Sequence, residues 1–525
     1  MGLAVVHTRT IEGLQAAPVQ VEVHLANGLP CMTLVGLADT EVREARERVR
    51  SALLHSGWDY PMNQRITVSL APADLPKASS RFDLPIALGI LAAQGLLDAE
   101  QLARHEFAGE LSLAGDLRPV HGALAIALGL RRSATTAGGP EPARHRRLVL
   151  PAASAAEAAL VDGVQVLQAQ TLREVVQALL PGSDALPLSQ AHPPPRRCGS
   201  VEALGPCLRD IRGQPEAKKA LELAAAGEHS LLLVGPPGAG KSMLAQRLPG
   251  LLPALTEEQA LDCAAMRSVS RAPLDLAQWG QRPWRAPHHS CTAAALVGGG
   301  NPPRPGEISL ADHGVLFLDE LPEFPRRALE ALREPLETGH VVVSRAARQA
   351  RFPCRLLLVA AMNPCPCGWL GSRVPGAPAC RCTPDAVQRY QGRLSGPLLD
   401  RIDLQLEVPA TAPAELLGPA DGEPSSAVAL RVAQARALQL QRQGCSNAQL
   451  GSAGLSAHAP LNSTAQAFLQ RAAERLGLSG RSLHRVLRVA RTVADLSEMP
   501  QVEVPHLAEA LQMRRALMHR GAVPA

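Results

Sequence analysis

Three short runs of unbroken apolar residues stand out in the middle of the chain: Leu231-Leu232-Leu233-Val234, Val315-Leu316-Phe317-Leu318 and Leu356-Leu357-Leu358-Val359-Ala360-Ala361. Runs of this length without polar alternation read as strands covered on both faces, as in parallel sheets between helix layers. Residues 1–175 instead alternate strand-like and helix-like stretches, at Val19–Leu25, Thr40–Ser56, Arg65–Leu70, Leu84–Leu97 and Leu111–Leu113. Residues 425–522 turn helical in pattern: Leu483, Val486, Leu487, Ala490 and Val493 share one face, with Arg481, Arg485 and Arg488 on another. The fold class is therefore α/β multidomain. An α+β domain spans 1–175 and a linker 176–205, marked by Pro193-Pro194-Pro195. A parallel-sheet core follows over 206–415, then a helical domain over 416–525.

Each apolar run ends in residues that carry chemistry. Gly235-Pro236-Pro237-Gly238-Ala239-Gly240-Lys241-Ser242 follows the first and opens a helix-forming stretch, completing a G-x-x-x-x-G-K-[ST] phosphate loop. Its glycines let the backbone approach phosphate oxygens, its N–H groups point at them, Lys241 reaches the β- and γ-phosphates, and the Ser242 hydroxyl ligates Mg²⁺. Asp319 and Glu320 close the second run, at the strand edge where ligands sit in open parallel sheets. Asp319 is placed to hold Mg²⁺, and Glu320 to orient or deprotonate the attacking water. Asn363 follows the third run and is placed to bond the γ-phosphate or that water. ATP and Mg²⁺ are thus the expected cofactors.

The chain has 525 residues, enough for about three domains. Its net charge of +5 is too small to prove a polyanionic partner. No apolar run is long enough to span a membrane and no export signal is evident, so a cytoplasmic protein with reduced thiols is expected. Cys365, Cys367, Cys380 and Cys382 form two close pairs across a Pro- and Gly-rich segment, an arrangement that suits tetrahedral Zn²⁺. The C-x-C spacing is unusual for such a site, and unligated or redox-active thiols are the alternative. The stretch from Lys241 to Asp319 is too long for one helix and one strand, so Arg282–Pro305 reads as an insertion. Gly339–Ser344 and Ala350–Arg355 read as arms of a hairpin tipped by Arg345 and Arg348.

Taken together, these stretches resemble the AAA+ ATPases of the magnesium-chelatase-like group, and within it the bacterial ComM/YifB family. The resemblance covers nearly the whole chain. It rests on Arg282-Pro-Trp-Arg-Ala-Pro-His-His289, Gly306-Glu-Ile-Ser-Leu310, Val315–Pro322, Met362-Asn-Pro-Cys-Pro-Cys-Gly368 and Ser395-Gly-Pro-Leu-Leu-Asp-Arg-Ile-Asp403. It implies a homo-hexameric ring with ATP at each subunit interface. Arg401 then matches the arginine finger offered to a neighbour's γ-phosphate, and Arg481 the sensor arginine of a C-terminal helical lid. It also implies a Lon-protease-like (ribosomal S5 domain 2-like) first domain. There the nucleophile's position falls at Arg81 and the lysine's near Leu124, so the Ser/Lys dyad is absent and proteolysis is not expected. Members of the family are DNA helicases that drive branch migration during natural transformation. That implies sequence-independent binding of single-stranded or branched DNA, with Arg285, His288, His289, Arg345 and Arg348 as candidate phosphate contacts. A metal-chelatase motor subunit and a MoxR-like protein-remodelling ATPase are the alternatives.

Overall fold

Val19, Val21, Val23 and Leu25 are buried at every second position of the strand Gln15–Asn27, so one face of that strand meets a core. In the computed structural model it lies inside a mixed eight-stranded sheet. The strand order is Ser189–Gln190, Val166–Ala169, Arg147–Pro151, His105–Phe107, Gly2–Glu12, Gln15–Asn27, Gln64–Ala71, Cys31–Val35. The almost wholly buried helix Asp83–Ala93 packs on its central strands. The structure describes residues 2–36, 44–75, 77, 80–135, 146–182, 184–194, 205–270, 275, 278–300, 303–345, 348–372, 378–412, 415, 417–419 and 422–514.

Of the segment expected as a linker, Val176–Leu179 completes the helix Leu172–Leu179, whose Leu172, Val175, Val176 and Leu179 are buried. Ser189–Gln190 pairs antiparallel with Gln168 and Leu167 as an edge strand. Residues 195–204, with Pro195, lie outside the described residues. In the first unit Arg81 and Leu124 are both buried, and Lys77 Nζ donates to the Pro72 carbonyl.

The second sheet is five-stranded and parallel throughout, in the order Trp284–Arg285, Val315–Leu318, Leu357–Met362, Leu231–Val234, Leu404–Glu407. All three apolar runs are strands here, each covered on both faces as their unbroken apolarity requires. Trp284–Arg285, the start of the expected insertion, is instead the outermost strand, and Trp284 stacks on Phe317 at 5.4 Å. The hairpin forms from His340–Arg345 and Arg348–Pro353, with Arg345 opposite Arg348. The side chains of those two arginines lie outside the described residues.

The first unit packs on the second through an apolar cluster joining Leu124 and Leu128 to Leu261, Ala264 and Ala265. The helices Ser425–Gln443, Ser463–Leu476, Gly480–Leu496 and Val504–Gln512 share another cluster with the core helix Pro215–Gly227. Val486, Val489, Ala490 and Val493 are buried there. The basic face of Gly480–Leu496 is only partly solvated. Arg481 is exposed, but Arg485 donates to the Arg401 carbonyl (3.0 Å) and to the Asp403 carboxylate, and Arg488 donates to the Leu450 carbonyl (2.8 Å).

Candidate active site

Because the five strands are parallel, their carboxyl ends share one edge, and the chemistry-bearing residues leave it side by side. Val234 pairs with Met362 and Leu318 with Ala360, so Gly235, Asn363 and Asp319 emerge as neighbours. Gly238 and Gly240 have φ of +76° and +83°, which turns the loop without a Cβ penalty. Pro237 to Met243, Asp319, Glu320, Met362 and Asn363 line an open cleft of about 360 Å³. That falls within the size range of small-molecule sites.

Lys241 is buried, and its Nζ donates to the carbonyls of Gly235 (2.7 Å) and Pro236 (2.9 Å) and to Asn363 Oδ1 (3.1 Å). Burial lowers its pKa, against the pull of Asp319 and Glu320. The Ser242 hydroxyl donates to Asp319 Oδ2 at 2.7 Å. An octahedral Mg²⁺ with ligand bonds of about 2.0–2.1 Å needs neighbouring oxygens about 2.9 Å apart, so this pair fits two adjacent ligand positions. Glu320 adopts φ +52°, an uncommon conformation for a side chain with a Cβ, and caps the turn Leu321–Glu323. Its Oε2 lies 3.1 Å from His289 Nδ1.

Nothing in the sequence signals that last contact, nor the burial of Tyr390. Burial pushes the pKa of the Tyr390 hydroxyl up to about 12. A lone tyrosine so far along the chain carries no positional signal.

Among the described side chains, Arg401, Arg481, Arg285 and His288 do not line the cleft. Arg401 is held within its own chain by the Glu337 carboxylate and the Pro397 carbonyl (2.8 Å). Its hydrogen bond holds the Glu337 carboxyl below its usual range. Arg285 is committed to Glu307 through two bonds of 2.6 and 2.7 Å, so its charge is met internally. His288 is exposed and its ring lies 4.0 Å from that of His289.

The four cysteines do come together. Their sulfurs all lie within 4.8 Å of one another. Cys365–Cys367, Cys365–Cys380 and Cys367–Cys380 are separated by 3.4, 3.7 and 3.6 Å. A tetrahedral Zn²⁺ with bonds of about 2.3 Å sets its sulfurs about 3.8 Å apart, so the donor set fits that ion. Backbone N–H groups of Trp369 and Arg381 pull the Cys367 thiol below its ordinary value, the kind of outer support that thiolate ligands receive.

A phosphate loop, paired carboxylates and a polar strand end on one parallel sheet edge have the form of a nucleotide-binding site. Residues 207–416 match the family described as magnesium chelatase, subunit ChlI. Residues 422–514 match the ChlI C-terminal family, and residues 21–137 the family described as subunit ChlI of Mg-chelatase. Competence protein ComM of Haemophilus influenzae is 48% identical over 516 residues, 98% of each chain. Uncharacterized protein YifB of Escherichia coli is 46% identical over 524 residues, 99% of each. The magnesium-chelatase 38 kDa subunit of Cereibacter sphaeroides is 26% identical over 220 residues, 38% of this chain and 57% of that one. The chain belongs to the ComM/YifB family of magnesium-chelatase-like proteins. No helix among the described residues is long and apolar enough to cross a membrane.

Proposed function

We propose that this protein is an ATP-driven, ring-forming DNA motor of the branch-migration type, serving integration of incoming DNA in natural transformation. One observation carries the reading. Identity with Competence protein ComM runs over 98% of both chains, whereas likeness to the chelatase subunit stops at 38% of this one.

In the proposed cycle, loop N–H groups receive the phosphates, and Lys241 exchanges its carbonyl contacts for β- and γ-oxygens. Ser242 and Asp319 would hold Mg²⁺, which when bound would supply positive charge to offset that of the phosphates. Glu320 takes the proton of the attacking water, and Asn363 orients the γ-phosphate. Arg401 serves the site of the next subunit in a hexamer, leaving Glu337 to do so, while Arg481 closes the lid over its own subunit's nucleotide.

DNA contact falls to the hairpin tip at Arg345 and Arg348, with His288 beside the cleft. Arg285, already paired with Glu307, is left to brace the inserted segment. The chain holds only six Phe, four Trp and two Tyr, which favours tracking of the phosphate backbone over base stacking. Zn²⁺ at the four cysteines has a structural role in this reading.

The deciding experiment is strand exchange on three- and four-way DNA junctions with ATP, with duplex and forked DNA alongside. Junction-dependent activity that falls steeply with salt is expected. ATP hydrolysis stimulated by unfolded polypeptide but not by DNA would instead mark a protein remodeller.

A further inference from the structure

The cysteine cluster is built onto the nucleotide loop. Asn363, which accepts from Lys241 Nζ, stands two residues before the fully buried Cys365. The helix Pro384–Gln391 starts two residues after Cys382 and clasps the same strand end. Its Gln391 Nε2 donates to the Pro364 carbonyl at 2.8 Å. On the other side, Gly368 follows Cys367 with φ +84°, and its N–H donates to the Cys365 carbonyl at 3.0 Å. A Cβ on Gly368 would stand 2.5 Å from Pro237 Cδ and 2.7 Å from Pro237 Cγ. The backbone at 368 is therefore a wall of the phosphate loop.

Little else holds that wall. The described residues between Cys367 and Cys380 contain no helix or strand. Four bare thiolates this close repel one another, while thiols bond only weakly. A cation that accepts four thiolates converts the repulsion into a rigid tetrahedral knot.

We infer that a thiophilic divalent metal at Cys365, Cys367, Cys380 and Cys382 acts as a clamp on the nucleotide loop, so that nucleotide affinity depends on metal occupancy. The inference rests on reading 235–242 as an ATP site. Through the knot, Gly368 is pressed against Pro237 and Asn363 is held against Lys241. Loss of the metal frees both contacts, and the loop loses the shape in which its N–H groups converge. Metal supply thereby gates the motor before any chemistry begins.

The test uses the full-length protein. Zinc content is measured by mass spectrometry, and affinity for a fluorescent ATP analogue with Mg²⁺ is measured before and after stripping with a zinc-selective chelator. One zinc per chain is expected. Stripping weakens nucleotide binding by about tenfold or more, and added Zn²⁺ alone restores it. Gly368→Ala keeps all four thiolates; it retains zinc yet binds nucleotide more weakly, and it decides the matter if stripping unfolds the chain. Unchanged affinity after stripping, absence of stoichiometric zinc, or wild-type affinity in Gly368→Ala overturns the clamp while leaving the ATP site standing. Failure of the zinc-loaded protein to bind nucleotide at all removes the ATP-site reading itself, and the clamp with it.

Discussion

His289 and Glu320, from separate segments at the edge of the parallel sheet, meet with Nδ1 3.1 Å from Oε2. The carboxylate expected to activate water thus faces a partner on the inserted segment. His289→Ala is expected to release it and raise DNA-independent ATP hydrolysis about fivefold, the scale of an exposed contact worth about 1 kcal/mol. Nucleotide affinity stays unchanged. A steady-state assay without DNA checks this; lower hydrolysis in the variant would mean that His289 supports Glu320 instead of restraining it.

Lys241→Ala should abolish nucleotide binding, because Lys241 is the one cationic side chain among the described residues lining the cleft. Glu320→Gln should bind normally but hydrolyse about 10²–10³-fold more slowly, the range expected for loss of a general base. Equilibrium binding and single-turnover hydrolysis separate the two defects. Wild-type turnover in Glu320→Gln would sink the water-activating role.

Arg401→Ala should leave nucleotide binding intact and cut hydrolysis by about 10³-fold, as removal of an arginine finger does. Mixing makes the prediction sharper. Arg401→Ala subunits hold a sound loop and Lys241→Ala subunits a sound finger, so a mixture of two inactive proteins recovers part of the activity. If the mixture stays dead, Arg401 does not act across an interface.

Asp403 lies at the seam between the core and the helical domain, with His229 Nδ1 3.4 Å from its Oδ2 and Arg485 on its Oδ1. Burial pushes its carboxyl up, but His229 and Arg485 more than offset this and hold it far below the usual carboxylate range. A depressed folded value contributes stability that is complete above the unfolded value of about 3.9 and is lost as pH falls through the folded one. Asp403→Asn, which strands Arg485, is expected to cost about 3–5 kcal/mol at pH 7. Calorimetry should find that gap constant down to about pH 4 and narrowing below it; narrowing already near pH 6 would exclude Asp403 as the source.

The residues that line the cleft were largely legible because the pattern is local. Leu231–Val234 and Val315–Leu318 announce themselves by unbroken apolarity, and the loop's glycines and Lys241 by spacing. The outermost strand was not legible, since Trp284–Arg285 is too short to show any period, and the same holds for Ser189–Gln190. Helical spacing placed Arg485 on a polar face but gave no hint that the face meets Asp403. Gly368 against Pro237 and Gln391 against the Pro364 carbonyl are contacts between separate segments, fixed by packing that no local pattern records.

Midway along the hairpin, behind its arginine tip, the first unit leans on it. A Cβ on Gly13, in the turn between the strands Gly2–Glu12 and Gln15–Asn27, would stand 2.8 Å from the Arg351 carbonyl. Leu14 packs into the apolar cluster that contains Val341, Val343 and Phe352. The hairpin is thus a beam braced partway along its length by a neighbouring unit. The eight-stranded sheet stands to it as an abutment, so displacing that sheet would loosen the hairpin's seat.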